Sequence, residues 1–346
     1  MEAPSLEQTK NIQNRAYPLR AVTALVVGII GLVIAIALSI SFGVADISIE
    51  TIWQAIFHYS AALPEHQVIF DIRIPRVIGA ALVGASFAVA GAIMQGMTRN
   101  PLVDSGLLGL NAGATFMLAI CFAFFPNIPY IYLILWSFLG AGLGVAIVYG
   151  IGSLSKGGLT PMRLVLVGAA VSALLGALGE GIALYFQIGQ DLAFFYAGGV
   201  SATKWSNLQV LIPWLLLAFI GALILSRSIT LLSLGDEIAV GLGQKVGAVK
   251  FWGLLIVLVL AGGAVSVVGA VAFVGLIVPH LTRYIVGYDY RWIIICSIVY
   301  GALLVVLADF LARIINQPYE VPIGALISLI GVPFFLYLSR KGGKEL

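Results

Sequence analysis

Residues 71–115 read DIRIPRVIGAALVGASFAVAGAIMQGMTRNPLVDSGLLGLNAGAT. No charged side chain lies between Arg76 and Arg99, and apart from Gln95 and Thr98 every residue there is apolar or small. An uncharged run of this length can cross the hydrocarbon core of a bilayer, which takes about 20 residues of helix. The run of small residues from Gly84 to Ala92 lets a second backbone lie close, as membrane helices commonly pack. It also suits the wall of a wide path for a bulky solute. Pro101 ends the run, because proline removes a donor and crowds the preceding turn. Asn100 beside it suits a cap.

Composition extends this reading to the whole chain. Of 346 residues, 61% are hydrophobic and 10% charged, against about 25% charged in soluble domains. Lipid can accept that much apolar surface; a water-soluble fold of this size cannot hide it. The net charge of +3 is weak and scattered, which excludes a nucleic-acid partner. Cys121 and Cys296 lie inside apolar runs, and His58, His66 and His280 are dispersed. No metal-ligand spacing results, so no metal or other cofactor is expected. There is no phosphate-binding glycine loop ending in Gly-Lys-Ser/Thr and no catalytic constellation, so any ATP chemistry belongs to another polypeptide. The apolar run from Ala21 to about Phe42 follows Lys10, Arg15 and Arg20. It exceeds the roughly 7–15 residues of a signal-peptide core and reads as an uncleaved first span.

Pro, Gly and charged breaks divide the chain into ten apolar spans, near 21–43, 74–96, 103–124, 130–152, 162–185, 204–226, 249–269, 271–286, 292–310 and 322–339. This gives a polar segment, 1–20, and an all-α polytopic membrane domain, 21–346. With the N-terminus inside, only Arg73, Arg76, Lys204 and Arg313 of the 18 Lys and Arg residues fall outside. The positive-inside rule favours that threading, with both termini cytoplasmic. Gly84 and Gly91 in the second span and Gly262 and Gly269 in the seventh share a spacing in antiparallel segments, as an inverted repeat would give. Outside, Ile49, Ile52, Trp53 and Ile56 recur at helical spacing, which predicts a helix lying on the outer membrane surface.

Several residues stand out chemically. In Arg73-Ile-Pro-Arg76, Pro75 suits a first helical turn, where the cations would face the positive end of the helix dipole. Such placement points to an outside partner bearing carboxylates, or to lipid phosphates reached by snorkelling. Arg313 near the end of the ninth span is favoured by the dipole. Inside, about 229–247, Ser233 or Gly235 can cap a short helix with Asp236 and Glu237 in its first turn. Gly241 and Gly243 permit a corner, so the stretch reads as two short helices joined by an elbow, or as an ordinary loop. Pro279 and His280 interrupt an apolar helix, and Glu320 suits the N-terminus of the last span. Glu180 is an intramembrane acid, placed either on a solute path or snorkelling to the surface. With Gln95 and Asn111 it completes the candidate path.

The segments RIPR (73–76), GASFAVAGAIMQGMTRNPLVDSGLLGLNAGA (84–114), GDEIAVGLGQKVG (235–247), GAVAFVGLIVPHLTR (269–283), LADFLAR (307–313) and EVPIGALISLIGVPFFLYL (320–338) together resemble the FecCD-type permeases. These are membrane subunits of ABC importers for iron–siderophore complexes, haem and cobalamin. The resemblance runs in order along the chain after Arg20. It implies ten helices in the type II importer architecture, a homo- or heterodimer of permeases, two cytoplasmic ATPase subunits and an extracytoplasmic substrate-binding protein. It implies docking of that protein through Arg73, Arg76 and Arg313. It also implies coupling to the ATPases through Gly235, Asp236, Glu237, Ala239, Leu242 and Gly243. The expected cargo is a ferric siderophore, with cobalamin or haem as the alternative. A secondary transporter driven by ions fits less well, because only Glu180 and Asp104 offer intramembrane acids and the elbow would have no role.

Overall fold

A computed structural model describes residues 6–42, 47–104, 106, 109–153, 161–190, 192–193, 199–316 and 319–342. Lys156 and Lys344, assigned to the inner side, lie outside the described residues. The described chain is helical, with no strand. In order it forms α1 (Leu6–Ser41), α2 (Ile49–Phe57), α3 (Pro64–Gln67), α4 (Ile74–Thr98), α5 (Leu110–Phe124), α6 (Tyr130–Ser153) and α7 (Pro161–Tyr185). It continues with α8 (Trp205–Ser233), α9 (Asp236–Gly241), α10 (Val246–Val268), α11 (Val274–Val286), α12 (Tyr290–Ile314) and α13 (Ile323–Gly342). Seven segments, containing α1, α4, α6, α7, α8, α10 and α12, are long and apolar enough to cross a membrane, and α5, α11 and α13 are shorter apolar helices. Together they make the ten segments that the sequence predicts. In its described part the polar segment 1–20 is helical, and α1 runs unbroken from Leu6 into the first span, which begins at Leu19.

The third and eighth spans are shorter than expected, and the reason is local. Arg99 is left-handed at φ 53°, ending α4, and Gly109 sits at φ 77° before α5. Asn100 caps no helix; its Oδ1 accepts the Leu102 N–H at 3.0 Å, closing a turn over Pro101. The α-helix of the third span therefore starts at Leu110, not at 103. Likewise Gly269 at φ 78° and Phe273 at φ 69° hold 269–273 out of helix, so α11 starts at Val274. Pro279 and His280 do not interrupt α11. Pro279 cannot donate to the Gly275 carbonyl one turn earlier, and Gln95 Nε2 donates to that oxygen instead, at 3.1 Å. With the orphaned acceptor satisfied, the helix continues.

α4 is the centre of the bundle, with 83% of its most apolar window buried. It packs most extensively on α12, and also against α8, α10 and α11. The small residues set these distances: a methyl group on Gly84 would overlap the Gly301 carbonyl of α12, and one on Gly91 the Gly275 carbonyl of α11. α1 lies on α12, where Tyr300 Oη donates to the Ala24 carbonyl at 2.8 Å. The units α4–α5 and α10–α11 each comprise a long helix followed by a short one. α2 forms as predicted, with Ser48 Oγ accepting the Thr51 N–H at 3.1 Å. Its apolar face divides, however: Ile52 and Ala55 pack inward while Trp53 and Ile56 stay exposed.

Candidate functional site

At one end of the bundle three arginines converge. Arg73 closes a π-helical turn, Val68–Arg73, which joins α3 to α4 without a break. The wider turn accommodates Pro75, whose ring would crowd a regular helix one turn back. Because the helical run starts at Pro64, Arg73 and Arg76 lie well inside it. The expected clash with the helix dipole does not arise. Arg73 instead faces the opposite pole of another helix, donating to the α1 carbonyls of Ile40 at 2.5 Å and Ser41 at 2.9 Å. Arg313 donates to the Ser39 carbonyl at 3.0 Å, the Phe42 carbonyl at 3.3 Å and the Ser39 hydroxyl. The C-terminal carbonyls of α1, which have no partner within their own helix, are thus covered by two cations.

Arg76 forms a two-sided fork. It meets Asp309 of α12 through Nη2 at 2.8 Å and Nε at 3.0 Å, and Glu320 through Nη1 at 2.6 Å and Nη2 at 3.0 Å. Arg313 reaches Asp309 from the next turn at 3.2 Å. Asp309 is fully buried, whereas the Glu320 side chain is 42% exposed. Glu320 therefore anchors the entry to α13 through Arg76 and does not cap it, since α13 begins at Ile323. Arg73, Arg76 and Arg313 are each less than one-tenth exposed. Their guanidinium groups are turned inward to partners within the chain, and the surface around them carries exposed Glu50, Glu65, Asp71 and Glu320 beside exposed Lys204.

At the opposite end, Gly235 takes φ 134° and starts α9, with Asp236 and exposed Glu237 in its first turn. Ser233 does not cap α9; its hydroxyl donates back to the Thr230 carbonyl at 2.7 Å. Gly243, at φ 81°, makes the corner alone, and Gly241 stays within α9. The second short helix is the first turns of α10. Asp236 ties this elbow to α10 through Lys250 at 2.6 Å and to the end of α4 through Arg99 at 3.8 Å. Ala239 is buried beneath it, while Leu234, Ile238, Val240 and Leu242 are all more than half exposed. The elbow is thus an exposed apolar knob held in place by ion pairs. Nearby, burial pushes the Asp289 carboxyl up, but hydrogen bonds from Arg291 and the charge of Arg227 outweigh it and hold the group below the usual carboxylate range.

Between α5, α7, α11 and the 269–273 connection lies a cavity of about 350 Å³. Asn111, Thr115, Ser172, Glu180, Asp104 and Phe273 contribute to its wall. Asp104 Oδ2 accepts the Phe273 N–H at 2.8 Å, pinning Asp104 to the 269–273 connection. Non-helical backbone at this depth is tolerated where it lines a cavity. Asn111 and Glu180 thus share one wall, as the candidate path requires. Gln95 is not part of it. It is buried, bonded to Gly275, to the Val103 carbonyl at 3.3 Å and to Arg283 at 2.9 Å. Sequence reasoning gave no role to Asp309 or Ser172. Asp309, four residues before Arg313 in an otherwise apolar stretch, carried a readable pairing signal; a serine in an apolar helix carried none.

The FecCD transport family profile matches residues 31–341. The iron(3+)-hydroxamate import system permease protein FhuB of Bacillus subtilis is 51% identical over 347 aligned positions, covering 98% of this chain and 90% of the relative. The iron-uptake system permease protein FeuB of the same organism is 40% identical, covering 90% and 94%. Among solved structures, a metal-chelate type ABC transporter in an inward-facing conformation superposes with a TM-score of 0.78 at 29% identity, covering 92% of this chain and 98% of that one.

Proposed function

Because the chain belongs to the FecCD transport family, we propose that it is the membrane-spanning subunit of an ATP-driven importer that carries ferric siderophores, of the hydroxamate kind, into the cell. The observation that carries this reading is the 51% identity, over 98% of the chain, to a ferric-hydroxamate permease. In this reading the elbow end faces the cytoplasm with both termini, and the arginine end faces outward. ATP hydrolysis takes place in separate subunits that seat against Leu234, Ile238, Val240 and Leu242. A second permease chain, identical or similar, completes the path, and a substrate-binding protein delivers the chelate.

The elbow supplies the test. In proteoliposomes containing the permease pair, ATPase subunits and binding protein, uptake of a ferric trihydroxamate depends on ATP. Gly243→Val places a β-branched side chain where only a left-handed backbone fits, at a cost of about 1–2 kcal/mol. The corner then reshapes, and uptake is expected to fall at least about tenfold while ATP is still hydrolysed, since each 1.4 kcal/mol corresponds to one decade. ATP-independent uptake by the wild type, or full uptake by the variant, would refute this assignment.

Docking of the binding protein uses the arginine end, where Arg73, Arg76 and Arg313 lie just beneath the surface and Arg76 reaches it beside Glu320. Glu320→Gln removes the half-exposed anion but leaves Arg76 paired with Asp309. It is expected to tighten binding of an acidic binding protein by about threefold at low salt, with the gain screened at high salt. An unchanged dissociation constant at low salt removes the docking role.

A further inference from the structure

The cavity wall carries one sign of charge. Its residues include two carboxylates, Asp104 and Glu180, and no lysine, arginine or histidine. Its neutral polar groups include two that the chain leaves unfilled: Asn111 Oδ1, which can only accept, and Ser172 Oγ, which can accept or donate, are buried with no hydrogen-bond partner. Asn111 is only 6% exposed, so water does not reach this oxygen from the surface. Its amide nitrogen is held by the Val271 carbonyl at 3.4 Å, and the oxygen stays unfilled behind the cavity wall. Thr115 adds no free donor, because its hydroxyl donates to the Asn111 carbonyl at 2.8 Å. Elsewhere the wall is apolar, with Phe116, Leu175 and Leu276. A volume of about 350 Å³ takes one arm or face of a chelate.

A ligand entering this space gains if it brings N–H or O–H donors, because unsatisfied buried acceptors then become bonded. It loses if it brings negative charge, since repulsion from fixed carboxylates is strong in an apolar surround. Rings of like charge act in this way in selective pores. We propose that this cavity reads the charge of the passing chelate. It admits neutral chelates and those bearing an ammonium or amide N–H arm, and it holds back chelates with net negative charge. Asn111 and Ser172 bind the donors, and Glu180, exposed at the rim, sets the sign. The proposal rests on the importer reading above, and family membership does not by itself supply it.

Three probes with one iron core separate the possibilities: a linear ferric trihydroxamate ending in a free ammonium, its neutral N-acetyl derivative and its anionic N-succinyl derivative. The affinity of the binding protein for each is measured first. Uptake into proteoliposomes holding the complete transporter is then compared at saturation, so that only passage through the permease differs. The wild type is expected to carry the ammonium and acetyl forms at least about fivefold faster than the succinyl form. Glu180→Lys should bring the succinyl form to within about twofold of the others, with Glu180→Gln between. Glu180 is exposed, so both variants are expected to assemble, checked by co-purification of the subunits. Equal wild-type rates for all three probes, or the same ratios in wild type and both variants, overturn the proposal. ATP-independent uptake, or none, for every probe overturns the importer reading and this proposal with it.

Discussion

Asp309→Ala is expected to destabilise the protein by about 3–5 kcal/mol, the usual effect of removing one partner from a buried ion pair. Asp309 is the fully buried anion between Arg76 and Arg313. Without it the two guanidinium groups face each other with only the half-exposed Glu320 carboxylate on one side. Repulsion then acts on the groups that hold α4, α12 and the entry to α13 together. The measurement is thermal unfolding of purified protein in detergent, which should shift down by several degrees or more. Asp309→Asn keeps the acceptor oxygen but not the charge and should fall between. Replacing Arg76 and Asp309 together with Met and Leu should recover much of the loss, since a well-packed apolar pair can substitute for a buried ion pair. An unchanged melting point for Asp309→Ala would show that the fork contributes nothing to stability.

The second large effect is expected at Gly91. A side chain there meets the backbone of Gly275, which is itself wedged against Asp104 and the Phe87 carbonyl. The obstruction is main chain on both sides, so no rotamer change relieves it. Gly91→Leu should therefore cost on the order of 3 kcal/mol or more, at the upper end of overpacking effects. It should also push α11 away from α4, breaking the Gln95 bond to the Gly275 carbonyl. Gly181→Ala is the control: nothing lies within 4 Å of the added methyl group, and helix propensity favours Ala by about 1 kcal/mol. Detergent melting of the two variants beside wild type decides the matter. Equal stability of Gly91→Leu and wild type would mean that the close crossing of α4 and α11 is not required.

Much of the architecture was legible because lipid imposes a simple rule. Uncharged stretches long enough to span a bilayer must be helices, and their ends are marked by Pro, Gly and charge. The elbow was legible for a similar reason: Gly235 and Gly243 announce positive φ, and Asp236 and Glu237 announce a helix start. What escaped was everything set by partners distant in sequence. Nothing near Gln95 shows that it completes a helix containing Pro279, 184 residues later. The roles of Arg73 and Arg313 depend on where α1 ends, which no local pattern reveals. The starts of α5 and α11 escaped because Gly109 and Gly269, though at positive φ, do not stand out among 40 glycines, and the left-handed backbone at Arg99 and Phe273 has no compositional signature.

Helix α10 has a further consequence. It is an uninterrupted rod of 23 residues, Val246–Val268, and so about 34 Å long. One tip is clamped to the elbow by Lys250, and the other runs directly into the 269–273 strip that walls the cavity. If ATPase subunits seat on the elbow as proposed, a shove at the first tip meets no break in the helix before the second. In that reading the helix is a single stiff push rod between elbow and cavity, and the glycine at position 269, at φ 78°, is its pivot.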